Sequence, residues 1–173
     1  MSSINYDLTK IKAFIFDVDG VLSSDCIPMD ENGDPMRTVN IKDGYALQLA
    51  VKLGYQVAII TGAYTENINK RFGRLGIKHI YLRSAVKIND YEDFIRKTGL
   101  KDEEIAYAGD DIPDAEVMQR VGLPVAPASA APEIKQIARY ISSKNGGEGI
   151  ARELIEQTLK AQERWMKDEA FGW

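Results

Sequence analysis

The chain has 173 residues, 45% of them hydrophobic and 28% charged, a composition typical of one soluble globular domain. Its formal net charge of -4 argues against a general nucleic-acid-binding protein, which is usually basic. The single cysteine excludes an internal disulfide and a cysteine-rich zinc site, and the single histidine argues against a histidine-based metal site. The N-terminus is polar and no apolar run approaches the length of a membrane span, so we expect a cytoplasmic protein.

Short apolar runs alternate with amphipathic segments along most of the chain. The pattern predicts strands at 11–16, 56–60, 78–82, 104–111 and 123–127. It predicts helices, with Asp43 and Thr65 as N-caps of the first two, at 43–54, 65–76, 85–99, 113–122, about 131–138 and about 150–168. The turn sequence "DENGDP" predicts a β-hairpin of two short strands at about 24–41. This order indicates an α/β fold with a doubly wound parallel sheet, in a single domain over residues 1–173.

Polar residues follow four of the predicted strands, each close to the point where the strand ends. In chain order they are Asp17, Asp19, Thr61, Gly62, Lys87, Asp110, Asp111 and Asp114. Taken singly, each has an ordinary structural explanation, such as a helix cap or a turn. Because the carboxyl ends of parallel strands share one edge of the sheet, where ligands bind, the whole set predicts one functional crevice.

The residue types in this crevice favour phosphate chemistry. Clustered carboxylates repel one another unless a cation is present, and oxygen ligands without histidine or cysteine select a hard cation such as Mg²⁺. The Thr61 hydroxyl, the Gly62 amide and the Lys87 ammonium can bind a phosphoryl group. Acids, Mg²⁺ and a phosphate-binding set together predict phosphoryl transfer.

Two aspartates at the end of the first strand can divide the chemistry between them. Asp17 can attack phosphorus and form an aspartyl-phosphate. Side chains at i and i+2 share one side of an extended strand, so Asp19 can act beside it as general acid and base. Gly20 lets the chain turn away without placing a side chain in the crevice.

With these four motifs, "DVDGV", "TG", Lys87 and "GDDIPD", the sequence resembles the haloacid dehalogenase superfamily of phosphatases. The resemblance implies that Asp17 is the nucleophile and Asp19 the general acid/base. It implies that Mg²⁺ is held by Asp17, Asp110 and the backbone carbonyl of Asp19, and that phosphate is held by Thr61, Gly62 and Lys87. It assigns supporting roles to Asp111 and Asp114. The intervals between the motifs are too short for a substrate-enclosing cap domain.

A narrower resemblance rests on "DVDGVLSS", "NIKDGYALQLA", "VAIITG", "AYAGDDIPDAEVMQRVGLPVA" and "GGEGIARELIE". These segments look like the 3-deoxy-D-manno-octulosonate 8-phosphate phosphatases, a family implied to be tetrameric through its hairpins. Its Gly-Gly-Xaa-Gly segment and C-terminal tail are implied to reach toward a neighbouring active site. Ala63 stands where many members carry a basic residue, and Arg83 where many carry glutamine. Arg83 is a candidate for a contact with the sugar-acid carboxylate.

Other functions stay open on the sequence alone. The departures at Ala63 and Arg83 leave room for a related substrate, 2-keto-3-deoxy-nonulosonate 9-phosphate. A phospho-receiver domain shares the fold class and residue types, but it places its phosphorylated aspartate at a later strand end. A non-catalytic relative would not need every candidate position filled, and a sugar phosphomutase would need a cap to shield its phosphoenzyme from water. We expect no nucleic-acid or membrane partner.

Overall fold

Six parallel strands form one sheet in the computed structural model, which describes residues 4–172. The strands are β1 (Ala13–Phe16), β2 (Gln56–Ile60), β3 (His79–Tyr81), β4 (Ile105–Ala108), β5 (Leu123–Ala126) and β6 (Tyr140–Ile141). The helices are α1 (Ile41–Lys52), α2 (Glu66–Gly73), α3 (Lys87–Thr98), α4 (Ala115–Arg120), α5 (Pro132–Ile137) and α6 (Ile150–Ala161). The strand order is β3-β2-β1-β4-β5-β6, so the chain winds outward from β1 in one direction and then returns to add β4 on its other side. The predicted doubly wound parallel sheet is confirmed.

The alternating side chains of β1 show how the two faces of the sheet are covered. Phe14 and Phe16 are fully buried on the face that packs against α1, α2 and α6. Ala13 and Ile15 are fully buried on the opposite face, against α3, α4 and α5. Both faces of a central parallel strand are covered in this way, so such strands read as continuous apolar runs.

The predicted hairpin is present as a short antiparallel turn without regular strands. Met29 and Pro35 form an isolated antiparallel bridge, and the Met36 N–H donates to the Pro28 carbonyl at 2.9 Å, but neither side extends into a strand. Two short strands without a third partner have little stability of their own, which accounts for the irregular backbone. We call residues 24–40 the connecting segment.

Two helix boundaries also differ from the predictions. The side chain of Asn40, not Asp43, caps α1, because its Oδ1 accepts hydrogen bonds from the backbone N–H groups of Lys42 and Asp43. The last helix ends at Ala161 instead of near residue 168. Glu163 has a φ of 57°, which breaks the helical path and turns the following residues back toward α1.

The chain between the four motifs consists mainly of the strands of the sheet and the helices packed on it. The connecting segment and α1 lie between the first two motifs, and α3 and a short 3-10 turn lie between the last two. Within residues 4–172, therefore, no cap domain is inserted over the carboxyl edge of the sheet. Over the same residues, none of the helices has the length and apolar character needed to cross a bilayer.

Candidate active site

The sequence motifs meet at the carboxyl edge of the central strands. Asp17 follows β1, and its backbone N–H donates to the carbonyl of Ala108 at 3.0 Å, which ties it to the end of β4. Asp110 follows β4 after a single glycine, and Thr61 follows β2. Because β1 and β4 are the strands between which the winding reverses, Asp17 and Asp110 lie at the topological switch point, where open α/β sheets bind ligands.

Three aspartates form an acidic cluster at this point. Asp17, Asp110 and Asp114 each offer a carboxylate oxygen, and these atoms lie within 4.8 Å of one another. Burial, followed by the charges of Asp17 and Asp114, raises the pKa of Asp110 to about 7. Burial and the Asp114 charge also raise the pKa of Asp17, although Lys87 opposes them. The cluster therefore carries more negative charge than its own cation balances.

Lys87 is the cation within the cluster. Its Nζ lies 2.8 Å from Asp17 Oδ2 and 2.7 Å from Asp114 Oδ1, and its side chain is only 4% exposed. Burial lowers the pKa of Lys87, but the charges of Asp17 and Asp114 outweigh that effect and raise it, so the ammonium group stays charged. The first residue of α3 thus places a buried positive charge beside the candidate nucleophile.

Asp114 has a structural role in this arrangement. Its Oδ1 accepts hydrogen bonds from Lys87 and, at 2.5 Å, from the Tyr107 hydroxyl. Its Oδ2 accepts from the backbone N–H groups of Asp110 and Asp111 at 3.1 Å and 3.3 Å. With both oxygens occupied, Asp114 orients Lys87 and the loop after β4. Asp17 accepts one contact on each oxygen, from the Val18 N–H and from Lys87, which leaves further lone pairs for a ligand.

A divalent cation fits the acidic cluster. Burial and the repulsion between the carboxylates raise the pKa values of Asp17 and Asp110, and a bound cation opposes both effects. Their oxygen atoms match the ligand preference of Mg²⁺. A Cβ atom on Gly20 would overlap the carboxylate of Asp110, so only glycine there allows the loop after β1 to lie against Asp110. Asp17 and Asp110 offer carboxylate oxygens for such an ion.

Asp19 lies apart from this cluster. Arg37, in the connecting segment, donates from Nε to Asp19 Oδ1 at 2.7 Å and from Nη2 to Oδ2 at 2.8 Å. The sequence patterns gave no sign of Arg37, because the connecting segment has no periodicity that would assign its side chains to a face. The two candidate catalytic aspartates are therefore two positions apart in the chain but bound to different cations.

The candidate phosphate-binding residues line the loop after β2. Thr61 is buried, and its Oγ1 accepts a hydrogen bond from the backbone N–H of Ala63 at 3.2 Å. Gly62 is exposed, and Arg83 joins the same loop because its N–H donates to the Ala63 carbonyl. The Arg83 guanidinium lies over the Tyr64 ring at 5.0 Å from the centroid, outside the acidic cluster.

The "GGEG" segment supports the loop after β1, which the sequence did not predict. The Gly147 N–H donates to the Val21 carbonyl at 2.8 Å, and a Cβ on Gly146 would overlap the Gly20 carbonyl. Asp43 reaches across from α1, and its Oδ1 accepts from the Arg152 N–H at 2.7 Å at the start of α6. Long-range contacts of this kind have no local sequence signal.

Comparison with known proteins identifies this arrangement. A family model described as haloacid dehalogenase-like hydrolase matches residues 79–154. The 3-deoxy-D-manno-octulosonate 8-phosphate phosphatase KdsC of Escherichia coli is 40% identical over 163 residues, which cover 94% of this chain and 86% of that protein.

Solved structures agree with the sequence comparison. The phosphatase of the same name from Yersinia pestis is 35% identical with a TM-score of 0.87, covering 91% of this chain and 85% of its own. The Moraxella catarrhalis phosphatase, solved with a magnesium ion, a phosphate ion and a KDO molecule, is 32% identical with a TM-score of 0.87 over 92% of this chain and 91% of its own. The chain belongs to the 3-deoxy-D-manno-octulosonate 8-phosphate phosphatase family of the haloacid dehalogenase superfamily.

Proposed function

We propose that this enzyme hydrolyses 3-deoxy-D-manno-octulosonate 8-phosphate to the free sugar acid and inorganic phosphate. The observation that carries the proposal is the position of Asp17, which lies 2.8 Å from the Lys87 ammonium and within 4.8 Å of the Asp110 carboxylate cluster. A carboxylate nucleophile, a fixed cation for the phosphoryl group and acids for Mg²⁺ are the three parts that the reaction needs.

The first half of the reaction transfers the phosphoryl group to Asp17. One carboxylate oxygen of Asp17 forms a bond to phosphorus while the bond from phosphorus to the sugar oxygen breaks. Asp19 gives its proton to that leaving oxygen. The Val18 N–H, which donates to Asp17 Oδ1 at 2.7 Å, and Lys87, which binds Oδ2, hold the nucleophile in a fixed orientation.

The second half releases phosphate and restores the enzyme. Asp19 takes a proton from a water molecule, whose oxygen attacks phosphorus and displaces Asp17. In both halves, Lys87, the Thr61 hydroxyl and the Gly62 amide would bind the phosphoryl oxygens. Bound Mg²⁺ neutralises negative charge on the phosphoryl group and the carboxylates, and Asp17, Asp110 and the Asp19 carbonyl would hold it.

A phosphate-release screen tests the substrate. Purified protein is assayed with and without Mg²⁺ on the octulosonate 8-phosphate, on 2-keto-3-deoxy-nonulosonate 9-phosphate and on common sugar phosphates. We expect Mg²⁺-dependent turnover with the highest kcat/KM on the eight-carbon substrate. A preference for the nine-carbon substrate would reassign the enzyme within the same reaction class, and Ala63 and Arg83 would be the first residues to exchange. Equal rates on all sugar phosphates would contradict the proposal.

We also propose a homotetramer that acts in the cytoplasm, built from one catalytic domain per chain. Four apolar side chains in the connecting segment and at the start of α1 are exposed: Met29, Met36, Val39 and Ile41. A group of this kind near an open site favours burial against another subunit.

A further inference from the structure

The ion pair between Arg37 and Asp19 restrains the residue proposed as general acid and base. Both carboxylate oxygens of Asp19 accept a hydrogen bond from the Arg37 fork, at 2.7 Å and 2.8 Å. The Arg37 side chain is only 12% exposed, and its Nη1 also donates to the Thr65 Oγ1 at 3.3 Å, at the start of α2. A paired and largely buried guanidinium fork is among the stronger charge-assisted contacts in proteins.

This contact conflicts with the task of Asp19. To transfer a proton, Asp19 must present one oxygen toward the sugar oxygen or the water, and in this arrangement the fork occupies both of its oxygens. Rotation of the Asp19 carboxylate toward the reacting oxygen therefore opens at least one of the two hydrogen bonds. Opening is costly unless Arg37 finds another anion, because an unpaired buried charge is strongly unfavourable.

A cavity beside Arg37 provides room for such an anion. Its volume is about 420 Å³, within the usual range for small-molecule sites, and it lies between the connecting segment and α2. Arg37, Thr65 and Asn67 contribute to its lining, and so does Val18, the residue between the two candidate catalytic aspartates. A molecule in this cavity would contact the guanidinium and the catalytic loop at the same time.

The acids that also line the cavity do not satisfy Arg37. Asp30 is turned into its own loop, where its Oδ1 accepts from the N–H groups of Asn32 and Asp34. Asp43 is directed to the start of α6, and Asp34, the third acid of the lining, forms no described ion pair with Arg37. The carboxylate partner of Arg37 in the structure is Asp19. A carboxylate on the substrate is therefore the natural competitor for the fork.

We propose that Arg37 determines specificity by exchanging Asp19 for the carboxylate of the sugar-acid substrate. Without such a carboxylate, Arg37 holds Asp19 away from the reaction; with it, Asp19 is released to transfer protons. The inference depends on the proposed function, because it needs a substrate that carries both a phosphate ester and a carboxylate. On this proposal, sugar phosphates without a carboxylate react slowly because Arg37 keeps Asp19 restrained, and not only because they bind weakly.

The restraint is easy to reverse because few contacts hold the connecting segment to the core. Beside the Arg37 contacts, the described bonds to the rest of the chain lie near the end of the segment: Thr38 contacts the Ser23 Oγ through its N–H at 3.2 Å and its hydroxyl at 3.4 Å, and Asn40 Nδ2 donates to the Gly147 carbonyl at 3.2 Å. The turn at 30–34 is bonded only within itself among the contacts described. Regions with few buried contacts open at low free-energy cost. Movement of this segment would carry Arg37 with it.

The test compares two substrates in Arg37→Met, which keeps the length of the side chain and removes the fork. For the octulosonate 8-phosphate we expect KM to rise roughly 10- to 100-fold, because a charged hydrogen-bond pair to the carboxylate is lost. For glucose 6-phosphate, which has no carboxylate, we expect kcat to rise several-fold because Asp19 is free. Opposite changes on the two substrates distinguish exchange from a simple structural role.

Several controls keep the outcome interpretable. Arg120→Met removes a surface arginine that pairs with Asp102 and Glu92. This variant should leave kcat and KM unchanged for both substrates. Arg37→Lys keeps the charge without the fork, so its KM for the octulosonate 8-phosphate should rise less than that of Arg37→Met. Arg37→Gln replaces the methionine variant if that one does not fold. Parallel losses on both substrates, or unchanged kinetics on both, would overturn the exchange. If wild-type protein shows no preference for a sugar-acid phosphate, the proposed function itself fails, independently of the behaviour of the Arg37 variants.

Discussion

Gly146 packs directly against the backbone carbonyl of Gly20, at a distance that leaves no space for a Cβ atom. Gly20 in turn lies so close to Asp110 that a side chain there would overlap the carboxylate. The loop before α6 thus contacts the loop after β1 through backbone atoms, and the loop after β1 contacts the Asp110 carboxylate in the loop after β4. Any displacement of Gly146 is transmitted to the acids proposed to bind Mg²⁺ and phosphate.

The first prediction follows from this contact: Gly146→Ala will reduce turnover. The added methyl group must displace the Gly20 carbonyl, and overpacking of this kind costs about 1–3 kcal/mol of the free energy of unfolding. Displacement of the Asp17 loop should lower kcat roughly tenfold or more, since small misplacements near a reacting group are expensive. Thermal melts and steady-state kinetics measure the two effects.

Gly73→Ala is the matched control. Gly73 ends α2, and apart from its chain neighbours and its own helix backbone no atom lies within 4 Å of the position its Cβ would take. Alanine is the better helix former, so this variant should be as stable as wild type or more so, with unchanged kinetics. If Gly146→Ala behaves in the same way as Gly73→Ala, the contact with Gly20 has no influence on the site.

The sequence was informative where function depends on strand ends, and uninformative where it depends on contacts between distant segments. Asp17, Thr61, Lys87 and Asp110 were predicted to converge because parallel strands place their ends along one edge. The partner of Asp19 was not predictable, because Arg37 belongs to an irregular segment whose path is set by tertiary contacts. Strand β6 was not assigned, since its two residues are too few to show a periodicity.

Asp43 illustrates the same limit in another way. Its position near the start of α1 indicated an N-cap for that helix, but its side chain binds the backbone of Arg152 at the start of α6. The N-cap position of α6 is occupied by Gly149, which has no side chain, and Asp43 supplies the missing acceptor. Which of two helices receives a cap is decided by their packing against each other.

The second prediction concerns how the free energy of unfolding depends on pH. Burial raises the pKa of Asp43 from 3.8 to about 6, although Lys144 and Arg152 oppose the shift, and its Oδ2 is buried without a hydrogen-bond partner. Because the folded-state pKa is the higher one, the unfolded chain releases this proton first. The contribution of Asp43 to stability is therefore largest below about pH 4 and falls as the pH rises to about 6.

Asp43→Asn removes this dependence. Between pH 4 and pH 7.5, the free energy of unfolding of the variant should rise by about 1–3 kcal/mol relative to wild type. Denaturant unfolding at both pH values, with Mg²⁺ held constant, measures the difference. A difference that does not change with pH would mean that Asp43 does not titrate in this range.

The third prediction links Mg²⁺ to Asp110. Its pKa is raised to about 7, so the metal-free protein should lose stability as the pH rises from about 4 to 7, while the ion binds only the ionised carboxylate. The increase in Tm on adding Mg²⁺ should therefore be larger at pH 8 than at pH 6. Asp110→Asn should abolish most of that increase and should stabilise the metal-free protein at pH 8. Glu116→Gln, at an exposed position of α4, should retain the wild-type response.

The fourth prediction separates the two aspartates of the first motif. Asp17→Asn removes the nucleophile, so turnover should be lost while the protein still folds and binds phosphate. Asp19→Asn should reduce kcat by roughly 10²–10⁴-fold, the usual contribution of general acid–base catalysis. Rapid-quench assays for a phosphorylated enzyme provide the measurement. Substantial turnover by folded Asp17→Asn would exclude the covalent mechanism, and a near-normal rate for Asp19→Asn would remove Asp19 from its proposed role.

The final prediction concerns assembly. We expect a homotetramer whose active sites are completed between subunits, because no cap domain covers the site within residues 4–172 and apolar side chains of the connecting segment are exposed. Light scattering on purified protein measures the mass, and Met36→Glu, which places a charge among those side chains, should yield smaller and less active species. A fully active monomer would contradict the prediction.

The C-terminal tail allows a second, independent test of shared sites. In this structure the tail folds onto its own chain: the Tyr45 hydroxyl donates to the Ala170 carbonyl at 2.6 Å, and Arg164 donates to the Leu53 carbonyl at 2.8 Å. Trp173, the last residue of this tail, lies outside the described residues. Truncation after Glu163 removes these contacts, so a moderate loss of Tm is expected whatever the assembly. If the tail also reaches a neighbouring site, KM or kcat will change well below the melting temperature. Kinetics that match wild type there would limit the tail to a stabilising role within its own subunit.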